Sequence, residues 1–309
     1  MPGVACVATS SDDDQVDTEM TATHHHISAA VAAESDRRGW ASSALRVADV
    51  GCGDGSLIEF LHARRPNWEL HGYDIVDYIG GGPKDFPAST IDRLRSRIPD
   101  VDWHHRIRLG CDAEPWPYGD ASIDVVITNQ VIEHIADLSG FLAEMRRVMA
   151  PGGFAVNIFP LRNRIKEGHI HVPLSAHVRG QDQRDELVRA AHRIGVGKQS
   201  HRNKPGGATE ASEYIAFSTY YRSFLEIARA CKPLGLRCAY RYSSGIYRQK
   251  ARGLIRRPTI ASYKQSSNAL LEFLSFSIYK WLSAVTIVLE RPSPGTRFVE
   301  HGSRRHPPG

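Results

Sequence analysis

The chain has 309 residues, 41% hydrophobic and 24% charged, with a formal charge of +5 and a pI near 9.0. That is enough to bury one substantial core, or one core and a small lobe, and the mild charge permits an anionic partner without demanding one. Five cysteines, odd in number and without a C-x-x-C pair, argue against a disulfide framework and point to the reducing cytoplasm, while Ser11-Asp-Asp-Asp14 stands where a secretory leader would need a basic region and an apolar run.

In chain order, residues 1–38 read as a polar, disordered tail with at most a short helix near 27–33. His24, His25 and His26 have no second cluster at ligand spacing, so no metal site is expected. Strand one spans 45–50 and runs into Gly51, Gly53 and Gly55, after which a helix opens at Ser56 and closes at Pro66. Glycines there let the backbone turn sharply and let a ligand lie against main-chain N–H groups, as in a nucleotide-cofactor loop. The spacing is G-x-G-x-G, with Ser56 where a dinucleotide fingerprint has its third glycine. Asp49 inside the strand and Asp54 in the loop suit a cofactor that is not strongly anionic.

Strand two covers 68–73, a glycine-rich loop 80–83, a helix 88–97, strand three 105–109 and strand four 123–128. Leu138, Phe141, Leu142, Met145, Val148 and Met149 mark a helix by their i, i+3, i+4, i+7 spacing. Pro151-Gly-Gly153 ends it, and strand five follows at 154–159. Residues 160–217 are far longer than an ordinary α/β connection, contain a helix near 185–192 and are expected to form an insertion or lid over the active site. A helix at 219–231, a turn at Gly235 and a strand at 236–241 come next. The apolar run 270–289 is broken by Glu272 and Lys280 and divides into a helix packed on the sheet and a β-branched strand at 284–289, not a membrane span. Peripheral contact with a membrane surface stays open. Residues 293–309 read as a second tail. Alternation of strand and helix implies a parallel sheet with helices on both faces.

Four blocks, Val47-Ala-Asp-Val-Gly-Cys-Gly-Asp-Gly55, Gly72-Tyr-Asp74, Gly110-Cys-Asp-Ala-Glu-Pro-Trp-Pro117 and Asp124 through Ile135, are supported by a fifth at Met149-Ala-Pro-Gly-Gly-Phe154. In this order they resemble the class I S-adenosylmethionine-dependent methyltransferases, well over residues 40–160 and more loosely over 212–292. The resemblance implies an α/β, Rossmann-like, seven-stranded, mostly parallel sheet with an antiparallel last strand, filling residues 39–292, and S-adenosyl-L-methionine as cofactor. It implies that Asp74 accepts bonds from the ribose hydroxyls and that Asp112, with Ala113 beside it, meets the adenine amine. Asp49 would steady the loop of Gly51, Gly53 and Gly55 and approach the methionine end through water. Asn129 and Gln130 would lie beside the sulfonium, although both could equally be turn formers.

Methyl transfer from a sulfonium needs alignment and exclusion of water, plus a base if the acceptor is a hydroxyl or an acidic carbon. His134, His169 and His171 are the candidate bases. His169 and His171 would share one side of an extended segment; as a metal pair they lack an evident carboxylate set. Residues 241–257 carry six arginines and lysines and no acid, with Tyr240, Tyr242 and Tyr247 beside or among them, either a solvated basic face or a site for an anionic group. The expected acceptor is a small molecule or a glycan- or lipid-linked group, most simply at oxygen. An RNA methyltransferase and a cofactor-binding pseudoenzyme or regulatory partner are the alternatives; nucleic acid is disfavoured because strand four ends in Asn129-Gln-Val-Ile rather than an Asn-Pro-Pro-Tyr type motif.

Overall fold

A computed structural model describes residues 11–75, 85–111, 114–178, 180–255, 257–264, 269–282 and 284–293. The elements run α1 (Ser11–Arg37), β1 (Arg46–Val50), α2 (Ser56–His62), β2 (Glu69–Ile75), α3 (Ala88–Arg97), β3 (Ile107–Gly110), β4 (Ile123–Asn129), α4 (Leu138–Val148) and β5 (Met149–Pro160). They continue as α5 (Gln181–Arg193), α6 (Gln199–Arg202), α7 (Gly207–Ser218), α8 (Phe224–Cys231), β6 (Arg237–Tyr240), α9 (Gly245–Leu254), α10 (Ala269–Leu282) and β7 (Ala284–Glu290).

The seven strands form one sheet in the order β3-β2-β1-β4-β5-β7-β6. β1 to β5 pair in parallel, and β7 runs antiparallel to both β5 and β6. The expected Rossmann-like, mostly parallel sheet with an antiparallel last strand is therefore what the chain builds. Both faces are covered, which is why the central strands read as continuous apolar runs. Val47, Val125, Ile127, Phe154 and Val156 point to one layer with Ile27, Val31, Leu57 and Leu94; Ala48, Val50, Val126 and Ala155 point to the other with Leu142, Met145, Ile227 and Phe276. The order reverses between β1 and β4, the switch point outside whose carboxyl ends ligands settle in open α/β sheets.

Three expectations need correction. Residues 1–38 are not a tail throughout: α1 reaches Arg37, and Ile27, Ala29, Ala30 and Val31 are fully buried against the sheet. Small residues allow close approach on several sides, so the helix shows no single apolar stripe to betray it. His26 is buried within it, its Nδ1 2.8 Å from Tyr263 Oη and its Nε2 2.7 Å from Thr286 Oγ1. Burial, then Arg248, pushes that imidazole down to about 3. Second, β5 begins at Met149 and absorbs Pro151-Gly-Gly153 in a register shift opposite Ile123 and Val125. Third, α8 starts only at Phe224, because Ser223 caps it reciprocally with Glu226. The helix expected to pack on the sheet does so, α10 resting on β6 through Phe276, stacked on Tyr240 at 4.3 Å, while its main apolar stripe faces outward. Among the described residues no helix is long and apolar enough to cross a membrane. Of the C-terminal residues 293–309, all beyond Ser293 lie outside the described residues.

α1 is locked at its end by charge. Glu34, fully buried, meets Arg37 (3.0 Å), Arg38 (2.6 Å) and Arg241 (2.9 Å) and accepts from Tyr242 Oη at 2.9 Å. Arg241 also reaches Glu290 at 2.7 Å, tying α1 to the end of β7. Burial alone would raise the Glu34 carboxyl; Arg241, then Arg38 and Arg37, outweigh it and hold it below the ordinary range. Glu34→Ala leaves these cations facing an apolar gap and should lower the unfolding free energy by about 2–4 kcal/mol, discounted because the arginines keep some contact with water. Urea denaturation reads this directly, and an unchanged midpoint would contradict it.

Candidate functional site

The first strand delivers its chain into a bend that only glycine tolerates. Gly51 has φ +81°, and a Cβ there would lie 2.3 Å from Val131 Cγ2. The amides of Gly51 and Cys52 both donate to Tyr73 O, at 2.7 and 3.2 Å, and Gly55 caps α2 with φ +76°. Asp74 closes the bend from the neighbouring strand: Oδ2 accepts from Gly53 N at 2.8 Å and Oδ1 from Ile75 N at 2.9 Å. Thr90 Oγ1 donates to Gly53 O at 2.8 Å, fixing the bend against α3. Asp54 accepts from Ser56 N at 3.0 Å and pairs with Arg93.

A cavity of about 540 Å³ opens over this bend. Its floor is Asp49, Gly51, Cys52, Asp54, Ser56 and Leu57, and Asn129 and Gln130 at the end of β4 enter beside them. The far wall comes from the chain after β5, with Arg164, Gly168, His169 and His171; His134 lies between. Thr23 and His24 of α1 form a further wall. The cavity thus brings together Asp49, Gly51, Asn129, His134, His169 and His171, while Gly53, Gly55 and Asp74 are not among its lining residues and Asp74 acts on the bend through its bond from Gly53 N. Asp112 and Ala113 lie outside the described residues.

The floor is electrically unusual. Asp49 is fully buried with no cation beside it among the described residues; burial first, then Asp74 and Asp54, raises its carboxyl to about 8. Asp74 is also raised by burial, partly offset by the amides of Gly53 and Ile75. Asn129 Oδ1 is buried without a hydrogen-bond partner among the described residues. With Asp54 paired to Arg93, the two remaining acids at the bend, Asp49 and Asp74, disfavour a pyrophosphate and favour a cation, and an orphaned amide oxygen there awaits a donor. A sulfonium nucleoside with an α-ammonium meets both demands. Gln130 adopts φ +57°, a rarely occupied conformation for a side-chain-bearing residue at the cavity edge.

The histidines occupy different settings from the extended strip expected for them. Residues 167–171 curl, with His171 N donating to Glu167 O at 3.1 Å and His171 itself at φ +60°. Glu167, fully buried, collects four donors: the amides of His169 (2.7 Å) and Ile170 (2.6 Å), the Nδ1 of His169 (2.7 Å) and the hydroxyl of Tyr221. Burial would raise this carboxyl, but the bond and charge of His169, then Tyr221 and the Ile170 amide, win and hold it at about 2. His134 Nδ1 lies 2.6 Å from Ser218 O, and its ring stands edge-on to His169 with centroids 5.1 Å apart. Burial lowers His134, and burial with Lys166 lowers His171. Glu133 is buried with neither carboxyl oxygen hydrogen-bonded among the described residues, and burial lifts it to about 8. Glu167, Tyr221, Thr23 and His24 escaped the sequence reading; Tyr221 stands 54 positions from Glu167, and the other two sat in a stretch read as tail. The three consecutive histidines part company, His24 and His25 packing on Phe60 and His26 entering the core.

Comparison with known proteins agrees with this geometry. Residues 48–157 match the family Methyltransf_11, described as a methyltransferase domain. A probable S-adenosylmethionine-dependent methyltransferase of Mycolicibacterium smegmatis is 34% identical over 122 residues, 40% of each chain. A malonyl-[acyl-carrier protein] O-methyltransferase of Methylovorus sp. is 30% identical, over 47% of this chain and 49% of the relative. A ubiquinone/menaquinone biosynthesis C-methyltransferase of Desulfotalea psychrophila is 26% identical, over 36% and 39%. The chain spans less than half the length of these curated relatives. Over residues 48–157 the chain thus matches a methyltransferase domain, and it is similar there to proteins named as S-adenosylmethionine-dependent methyltransferases.

The raised acid on the floor has a consequence for stability. An acid whose folded pKa exceeds its unfolded value keeps its proton longer when folded, so stability falls as pH rises between the two. For Asp49 that window runs from 3.8 to about 8. Asp49→Asn should therefore flatten the decline of the cofactor-free protein's melting temperature across it, with little change at its acid end. Parallel pH profiles for the two proteins would contradict this.

Proposed function

We propose that the chain transfers the methyl group of S-adenosylmethionine to a hydroxyl of a small-molecule, glycan-linked or lipid-linked acceptor, with His169 as the base. The observation that carries this reading is the opening of the Glu167–His169–Tyr221 cluster onto the same cavity as the glycine bend. Bound there, the cofactor supplies an already activated methyl group. What the chain must add is placement and a destination for the acceptor's proton.

Glu167 accepts only, so His169 Nδ1 carries the hydrogen between them and Nε2 is the basic nitrogen. As a proton arrives, the buried carboxylate stabilises the imidazolium, and Tyr221 keeps that carboxylate from rotating. His134, its Nδ1 likewise held by a carbonyl, and His171 at the rim would contact the acceptor. Arg164 with the three histidines makes a polar wall that suits a hydroxylated group. Asp74 would hold the ribose, Asp112 and Ala113 the adenine, and Asn129 the methionine end. Residues 160–217, which pack α5 and α7 around Val188, Ala211 and Ile215 and send residues 164–171 to the cavity, would act as the lid. The free thiols of Cys52, Cys111, Cys231 and Cys238 support a reducing, cytoplasmic setting.

Isothermal calorimetry with S-adenosylhomocysteine against NAD is the direct test. Binding of the former and not the latter is expected, and preference for NAD would defeat the reading. Asp74→Ala should weaken S-adenosylhomocysteine binding by about 1–3 kcal/mol, the loss of bonds to a charged acceptor; equal affinity would show that Asp74 does not hold the sugar. His169→Gln should lower kcat/KM for radiolabelled methyl transfer by about 10²–10⁴-fold while S-adenosylhomocysteine affinity holds. Loss of both together would make His169 structural.

A further inference from the structure

We propose that the outer face of α10 docks on an anionic lipid bilayer. Leu270, Phe273, Leu274, Ile278, Trp281 and Leu282 recur at i, i+3, i+4, i+8, i+11 and i+12, the stripe a helix ordinarily turns to a core. Here all six are exposed, Leu270 at 63% and Ile278 at 58%, while the opposite side packs through Phe276 on Tyr240 and Tyr279 on Tyr247. A contiguous apolar face of this kind marks an interaction surface rather than ordinary surface scatter.

The stripe continues toward the cavity. Ile165 N donates to Trp281 O at 2.9 Å, and Leu174 N to Ile165 O at 2.8 Å; both side chains are exposed. The residues immediately beyond, Arg164, Gly168, His169 and His171, line the cavity.

Charge selects the occupant. Residues 241–282 hold eight lysines and arginines against one acid, Glu272. Arg241 turns inward to Glu34 and Glu290, but Arg248, Arg257 and Lys264 are exposed. Arg248 stands beside Glu272 of α10, Lys280 rises from α10 near the rings of Phe276 and Trp281, and exposed Lys166 follows Ile165. An apolar helix face with a tryptophan and bordering cations matches a headgroup layer, where the stripe enters the acyl boundary and the cations meet phosphate. A twofold contact through the same face would instead gather the positive excess of both copies at one interface. Docked in this way, and resting on the transfer reading above, the cavity mouth would receive a lipid-borne hydroxyl.

Flotation of the full chain with phosphatidylcholine vesicles, with and without phosphatidylglycerol, tests the surface. Binding is expected only with the anionic lipid, and the exposed-site double variant Leu274→Glu/Ile278→Glu should lose it by roughly tenfold or more. S-adenosylhomocysteine affinity and circular dichroism of that variant should match the parent, which separates failure of docking from failure of the fold or the cofactor reading. No binding to either vesicle, equal binding by the variant, or a dimer in sedimentation equilibrium that the double variant splits would each overturn the proposal, the last in favour of a second copy.

Discussion

The hydrogen bond from Gly53 N to the carboxylate of Asp74 is the constraint around which the site is organised. It joins the end of β1 to the end of β2 across one strand spacing, next to the β1–β4 point where the sheet reverses its order. With the amides of Gly51 and Cys52 donating to Tyr73 O, the bend is sewn to β2 at three places. Among the described residues the arrangement leaves Asp49 beneath it without a compensating cation, and the carboxyl responds by holding its proton.

Two buried carboxylates, Asp49 on the cavity floor and Glu167 behind His169, show how environment divides similar chemistry. Asp49 has burial and like charge and keeps its proton to about pH 8; Glu167 has four donors and gives its proton up near pH 2. One is suited to respond to a cation, the other to anchor an imidazole. Neither behaviour follows from residue type.

Much of this was legible in the residues. Apolar runs at 45–50 and 123–128, the glycine spacing and the clear stripe from Leu138 to Met149 carried the parallel sheet and the bend because each depends on local periodicity or local steric freedom. The failures have physical causes. α1 is enclosed on several sides, so its burial left no periodic trace. The segment of His169 and His171 curls because Glu167 draws in the two amides that follow it, a competition spacing alone does not reveal. Tyr221 meets Glu167 only through the folded path of residues 168–220. At α10 the residues carried the helix and its packing on the sheet but not the outward turn of its main stripe, since periodicity reports that a face is apolar without saying what covers it.

The position of α1 also bears on what counts as the catalytic unit. Similarity marks out residues 48–157, yet that span excludes Thr23 and His24 at the cavity edge, the helix that seals one layer of the sheet, and the antiparallel partner of β5. Excised along the boundary that kinship suggests, the shared segment would have bare flanks on both sides and a ligand chamber missing part of its enclosure. The inherited part of the molecule and the part able to stand by itself are therefore different lengths of chain.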